Sequence, residues 1–289
     1  MSDVDMRVVK ELENKAVDIR KMLIDYVQNV GVAHLGGPMS ATDMAVALYY
    51  HYMNWDPKDY KAKDRDRFIL SKGHNADLFY NIFCDMGLFT REEIFSEYNK
   101  LHGRFGQHPN RMYLPMFEVS AGSLGHGLSL ATGYALGARA SGDNYRVFCM
   151  TGDGELDEGS NWEALMLAAH RKLGNLVLIV DKNQIMGTGP TEEVMALGNL
   201  TDKLTSFGWD VINIKDGNDM LQVCETLENL PEPDCHAKRK PIAIISNTIK
   251  GAGVDFMTGT PSWHLGSVDD ELGVKAYASI EAFRKYTKE

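Results

Sequence analysis

The sequence predicts an α/β protein built on a doubly wound, mostly parallel sheet flanked by helices. Three observations predict it. Apolar runs of strand length recur at residues 145–150, 176–180 and 242–246, nearly continuous, as in strands buried on both faces. Segments with apolar residues at helical spacing separate them. Turns rich in Gly and Asp follow the first two runs, as Gly152-Asp153-Gly154 and Asp181-Lys182-Asn183.

Taken in order, the first helix is marked by Val8, Val9, Leu12, Ala16, Ile19, Leu23, Val27 and Val30, and is stopped by Gly31. A second helix is predicted from Ser40 as N-cap through Met44, Leu48 and Tyr52. Residues 66–71 read as a short strand and 76–86 as a helix. From His102 to Leu124 the chain is rich in Gly, Pro, His and Asn without periodicity, and a long loop inside a compact domain is usually functional. Residues 125–140 alternate small and apolar side chains and read as a tightly packed internal helix. Residues 161–170 form the crossover helix between strands at 145–151 and 176–181. Strands at 209–214 and 242–246 follow, with helices near 199–207 and 218–229. Residues 231–240 and 251–266 read as loops, and a last amphipathic helix starts near Asp269. No linker or repeat breaks the pattern, so one domain is expected over residues 1–289.

A net charge of −10 argues against nucleic acid or an anionic membrane as the main partner, while allowing a local cationic pocket. Met1 to Arg7 carries acids and no long apolar run, unlike a signal peptide. No stretch approaches the roughly 18 apolar residues of a membrane span. Cys84, Cys149, Cys224 and Cys235 show no close pairing, which fits reduced thiols in a cytoplasmic protein.

The chemistry concentrates where the strands end. Asn183 lies thirty positions after Asp153, and a strand–helix–strand unit brings both to the carboxyl ends of neighbouring parallel strands. One carboxylate, one amide oxygen and nearby carbonyls suit a hard cation such as Mg²⁺, which in turn suits a diphosphate. Gly152 and Gly154 let the backbone turn sharply and come close to a phosphate. Taken alone, Gly-Asp-Gly also fits a turn whose Asp caps a helix. Six of the nine histidines, His34, His74, His102, His108, His126 and His264, lie within two residues of a Gly or Pro. A site that moves protons on and off hydroxyls needs several groups titrating near neutrality.

The Gly-Asp-Gly…Asn spacing resembles the thiamine-diphosphate motif. Around it, Val32-Ala-His34-Leu-Gly-Gly-Pro-Met-Ser40, Ser71-Lys-Gly-His74, Gly106-Gln-His108-Pro, Glu118-Val-Ser-Ala-Gly-Ser-Leu-Gly-His-Gly127, Gly189-Pro-Thr-Glu-Glu193 and Trp263-His264 stand in the order and spacing of the transketolase N-terminal domain. The resemblance runs from about residue 10 to about residue 270 and implies the thiamine-diphosphate-binding fold, in its diphosphate-binding form. It implies thiamine diphosphate and Mg²⁺ (or Ca²⁺ or Mn²⁺) as cofactors, and transfer of a two-carbon ketol unit from a ketose to an aldose. By this likeness Asp153 and Asn183 bind the metal through side chains and Ile185 through its carbonyl, with Gly152 and Gly154 against the diphosphate. His74 and His264 contact the diphosphate and the substrate end. His34 and His264 handle the proton of the donor C3 hydroxyl, and His108 holds the C1 hydroxyl. Gly122, Ser123 and Leu124 line the pocket beside the cofactor rings. Glu158 links paired active sites across a subunit interface, or serves as a carboxylate at a helix N-terminus.

Two departures from the family pattern stand out. His126 replaces the usual Gln, and Asn75-Ala76-Asp77 replaces a small apolar stretch; these are either packing changes or alterations of the accepted sugar. The resemblance also implies a missing half. The pyrimidine-binding domain, with the glutamate that protonates the cofactor, is expected on a separate chain in an α₂β₂ assembly. The polar end Phe283 to Glu289 favours a natural terminus over a fragment of a single-chain enzyme. Ordinary pentose and hexose phosphates are the first candidate substrates, with branched or sulfonated sugars as alternatives. Rival readings are the α subunit of a 2-oxoacid dehydrogenase, a deoxyxylulose-phosphate synthase half and a non-catalytic cofactor-binding half. The sugar-facing histidines count against the first and third. A nicotinamide-binding Rossmann domain lacks its Gly-x-Gly-x-x-Gly turn.

Overall fold

The computed structural model describes residues 4–286; residues 1–3 and the last three of the expected polar terminus lie outside them. Helix α1 (Met6–Val30) opens the chain, capped by the Asp5 carboxylate and closed by Gly31 at φ 90°. The two-residue strand β1 (Ala33–His34) leads into α2 (Gly36–Ala47), which continues as a π-helical turn over Leu48–Tyr52. Strand β2 (Arg67–Leu70), helices α3 (Ala76–Asp85), α4 (Arg91–Glu97) and α5 (Gly127–Ser141), and strand β3 (Val147–Gly152) follow. Then come α6 (Gly159–His170), β4 (Leu176–Lys182), α7 (Thr191–Val194), α8 (Leu200–Ser206), β5 (Asp210–Ile214) and α9 (Met220–Glu228). Strands β6 (Ile242–Asn247) and β7 (Leu265–Gly266) and helix α10 (Asp270–Ala282) complete the order.

Strands β2-β3-β4-β6-β5 form one parallel sheet in that spatial order. Successive strand side chains point to opposite faces, and both faces are covered. Phe148, Met150, Val177 and Ile179 join one core with α1, α2, α3, α9 and α10. Val147, Cys149, Leu176, Leu178 and Val180 join a second core with α5, α6 and α8. This double burial is why the strands read as continuous apolar runs. All four cysteines are free, and among the described residues no helix is long and apolar enough to cross a membrane.

Several expectations need correction. Ser40 is not an N-cap: α2 begins at Gly36, and Ser40 is a buried interior residue. The glycine pair forms the first turn because side chains do not fit there. A Cβ on Gly36 would meet Lys250 Cγ at 2.8 Å, and one on Gly37 would meet Asn75 Oδ1 at 2.6 Å. Helix α5 is not internal, since Leu130, Gly133 and Gly137 face outward and nothing lies within 4 Å of a Cβ built on either glycine. The loop at 251–266 contains β7, paired antiparallel with β1. Helix α4 falls where no helix was expected, although Thr90 and Glu93 form a reciprocal capping box before it.

Arg20 of α1 is buried and donates to Asp43 (Nη1 to Oδ1, 3.0 Å), to the Met39 carbonyl (3.1 Å) and to the Ala252 carbonyl (3.1 Å). Asn218 donates to Asp43 Oδ2 as well (2.9 Å). One ion pair therefore joins α1, α2, the loop after β6 and the turn before α9. Asp43→Ala leaves a buried guanidinium without its counter-charge and should cost roughly 3–5 kcal/mol in urea unfolding. Arg20→Met combined with Asp43→Leu should recover most of that loss, whereas an equally unstable double variant would show that the ion pair does not account for it.

Candidate active site at the carboxyl edge of the sheet

The carboxyl ends of β3 and β4 open into a cavity of about 200 Å³, floored by Gly152, Asp153 and Gly154 and walled by Lys72, Lys250 and His264. Asn183, Ile185, His74, Leu124 and Gly37 also line it. The expected metal ligands and diphosphate glycines thus come together.

Their orientation follows from a buried hydrogen-bond network. Asp153 Oδ1 accepts from the Gly154 amide (2.9 Å), and Oδ2 accepts from the Gln184 amide (2.7 Å) and Thr191 Oγ1 (3.2 Å). Burial and the nearby Asp181 charge push the Asp153 carboxyl above its usual range, against those donors. Asn183 donates Nδ2 to Ser40 Oγ (3.2 Å) and Asp181 Oδ2 (3.3 Å), which turns Oδ1 toward the Ile185 amide (3.2 Å). The amide orientation is therefore assigned by two acceptors on one side and a donor on the other.

Four residues that the sequence does not single out hold this edge. Lys72 pairs with Asp181 (2.6 Å) with both side chains buried, and Asp181 also accepts from Ser40 Oγ (2.7 Å) and Thr248. Glu155 is buried and accepts from Ser71 and from the Gly125 (2.9 Å) and Gly152 (3.1 Å) amides, joining the loop before α5 to the end of β3. Lys250 donates to the Ile185 (2.9 Å) and Met186 (3.1 Å) carbonyls and lies 3.0 Å from His264 Nδ1. Burial, with Lys72 nearby, brings the Lys250 ammonium down to about 8. The signal for the lysines is present in Ser71-Lys-Gly-His74 and Ile249-Lys-Gly, but a lone Lys in a turn is ordinarily solvated.

Four of the six turn histidines converge. His34 lies 5.4 Å from His74, 6.0 Å from His108 and 5.3 Å from His264 between ring centroids, and His74 is 5.0 Å from His264. The β1–β7 ribbon sets the His34–His264 pair, since His34 is in register with Leu265. Burial lowers every member. His34 falls to about 4, with His108 and Lys250 adding to the effect, and His264 falls to about 3 beside Lys250. His74 lies well below its ordinary value and His108 below it. The quartet is neutral at pH 7, so each ring offers one donor and one acceptor. With Nδ1 taken by Lys250, His264 carries its proton on Nε2.

The remaining expected residues are placed as follows. Gly122, at φ 151°, lets the loop pass the His108 ring, where a Cβ would meet the ring at 3.3 Å. Leu124 lines the cavity and Ser123 is exposed beside it. Glu158 is exposed at the N-cap of α6, packed beside Gly125. His102 and His126 are exposed and outside the quartet. Asp77 is wholly buried, whereas His126 is not, so only one of the two departures is internal.

The family description "Transketolase, thiamine diphosphate binding domain" matches residues 12–284. The chain belongs to the transketolase family. Over 88% of its length it is 38% identical to an apulose-4-phosphate transketolase subunit of Actinobacillus succinogenes, covering 90% of that protein. The protein of the same name from Phocaeicola vulgatus is 36% identical over 97% of this chain and 98% of its own. A 6-deoxy-6-sulfo-D-fructose transketolase subunit from a Clostridium species is 33% identical, over 94% and 96% respectively. Among solved structures, the transketolase of Campylobacter jejuni superposes with a TM-score of 0.85 at 28% identity. That match covers 96% of this chain but 43% of the solved one.

The residues present fit the cofactor of this family. Asp153, the Asn183 amide and the Ile185 carbonyl are hard oxygen donors suited to Mg²⁺ or Ca²⁺, and the Ile185 carbonyl already faces a cation, the Lys250 ammonium. Two lysines and the Gly154 turn suit a diphosphate. Lys250 is charged below about pH 8 and loses its charge above it. Affinity for thiamine diphosphate should therefore fall roughly tenfold between pH 7 and pH 9.5, the worth of one charge-assisted hydrogen bond. Calorimetric titration of the chain with Mg²⁺ reads this, and Lys250→Met should weaken binding and flatten the dependence. Asp153→Asn should abolish the Mg²⁺-dependent part of the affinity; unchanged affinity would exclude Asp153 as a ligand.

Proposed function

We propose that this chain is the diphosphate-binding subunit of a two-component transketolase that moves a two-carbon ketol unit from a ketose to an aldose. The observation that carries this reading is the cluster of neutral histidines, two of which, His74 and His264, line a cavity of about 200 Å³ together with oxygen donors suited to a metal. Thiamine diphosphate, bound with Mg²⁺, supplies the nucleophilic carbon and electron sink for breaking the C2–C3 bond. The chain's residues position the sugar and move its protons.

Asp153, Asn183 and the Ile185 carbonyl hold the metal. Gly152, Gly154, Lys72, Lys250 and His74 surround the diphosphate, and the loop at Gly122, Ser123 and Leu124 flanks the cofactor rings. His264 Nε2–H donates into the cavity, while His34 accepts from or donates to the C3 hydroxyl. Neutral rings reverse roles between the two halves of the reaction, which fixed charges do not. His108, on the outer side of His34, holds the C1 hydroxyl. Glu158, exposed at the N-cap of α6, suits a contact between paired sites.

A partner chain carrying the pyrimidine-binding half completes the site, in an α₂β₂ cytoplasmic enzyme. The subunit names of the relatives support a separate partner, and their named sugars favour a pathway-specific ketose, branched or sulfonated, over the common pentose phosphates. A 2-oxoacid dehydrogenase role is disfavoured, because decarboxylation does not need four sugar-facing histidines.

The test is ketol transfer from a panel of ketose donors, by the chain alone and with its candidate partner. Activity only in the mixture supports the reading, and the best donor names the sugar class. His264→Ala should cut kcat about a hundred- to a ten-thousandfold, the usual worth of a proton-transfer group, with little change in cofactor affinity. Equal losses in both would make His264 a diphosphate clamp instead.

A further inference from the structure

The structure buries the Asp77 carboxyl completely beside the histidine quartet. Asp77 lies in the first turn of α3. Its Oδ1 accepts from Tyr26 of α1 (2.8 Å), and its Oδ2 accepts from the His34 backbone amide (3.0 Å). The same Oδ2 lies 3.9 Å from His34 Nδ1. That nitrogen is buried and has no hydrogen-bond partner. A separation of 3.9 Å is too long for a hydrogen bond, yet Asp77 Oδ2 is the carboxylate oxygen paired with this nitrogen, and a buried polar atom seeks a partner.

We propose that Asp77 is a positioning residue that forms a carboxyl–imidazole pair with His34 and thereby sets which proton state His34 Nε2 presents to the sugar. A carboxylate at Asp77 accepts from Nδ1–H and leaves Nε2 bare, as a base. A protonated Asp77 donates to Nδ1 and leaves Nε2–H as an acid. When Nε2 takes the hydroxyl proton, Nδ1–H passes its proton to Asp77; the reverse transfer returns a proton to the oxygen. One proton enters the pair and one leaves it, so no further reactant is needed.

The surroundings suit a group poised between the two states. The titratable groups facing Asp77 are Tyr26 of α1, Tyr80 one turn along α3, Tyr98 after α4 and His34 of β1. Around the His34 ring stand His74, His108, His264 and Lys250. Burial raises Asp77 to about 7, against the donors from Tyr26 and His34, so its proton is exchangeable near neutral pH. Carboxylate partners of this kind fix the tautomer of functional histidines elsewhere.

The part of the pair in proton transfer rests on the ketol-transfer reading above; the pair itself does not. ¹⁵N-histidine NMR of the chain, with His34 assigned by His34→Gln, reads the tautomer directly. Above the Asp77 titration, wild-type His34 should hold its proton on Nδ1, and below it on Nε2. A bare Nδ1 throughout overturns the proposal, whether or not any substituted chain folds. Asp77→Asn should abolish the pH-dependent tautomer change; a change that persists overturns it too. In the assembled enzyme the same variant should lower kcat about ten- to a hundredfold and shift its pH profile, with KM and cofactor affinity within about threefold. An unaltered pH profile of an active Asp77→Asn enzyme would leave Asp77 a packing residue and contradict the proposal.

Discussion

The carboxylate of Asp181 holds the edge on which the site is built. It sits near the end of β4, buried, and gathers Ser40 from α2, Lys72 from the turn after β2, Asn183 from its own strand end and Thr248 from the turn after β6. Four separate segments meet on one side chain. Removing either member of the Lys72–Asp181 pair would strand a charge in a low-dielectric interior, at roughly 3–5 kcal/mol. The pair therefore adds little net attraction beyond an apolar isostere, but it imposes a strong constraint on arrangement. Lys72 is held at the wall of the cavity, and Asn183 is turned so that its oxygen faces the Ile185 amide and not the Asp181 carboxylate.

This constraint accounts for the electrostatics of the site. A net-negative protein presents here two lysines and two histidines, His74 and His264, around a cavity that Asp153 and Glu155 also line, with His34 packed against both rings and His108 against His34. The cations and the burial together keep the imidazoles neutral, and the acids keep the lysines from dominating the field. The result suits a dianionic diphosphate on one side and uncharged sugar hydroxyls on the other. The β1–β7 ribbon contributes the last piece, because it couples the histidine before α2 to the histidine after β6 across the mouth.

Much of this is legible in the chain. The parallel strands announce themselves because burial on both faces removes the polar alternation, and the turns after β3 and β4 carry their Gly, Asp and Asn in the expected places. The four converging histidines are distinguished by their turn context, although the same context also selects His102 and His126, which face solvent. What stays hidden is short or long-range. Two-residue strands have no periodicity to read. The start of α2 is misplaced because a glycine pair ordinarily ends helices, and only the proximity of Lys250 and Asn75 explains why glycines begin this one. Asp181, Glu155 and Lys250 each also reach a partner 30 to 141 residues distant in sequence, a relation that no local pattern encodes. Asp77 is visible as a departure, but its contact with His34 is not.

The central claim is that the edge organised by Asp181 holds the diphosphate and its metal. The most direct measurement is a crystal structure of the chain, with its partner, grown with thiamine diphosphate and Mg²⁺. The account predicts a metal about 2.0–2.1 Å from Asp153, the Asn183 amide oxygen and the Ile185 carbonyl, with Lys250 moved from that carbonyl to a phosphate oxygen. A diphosphate bound away from the Gly154 turn, or a metal held without Asp153 and Asn183, would contradict it.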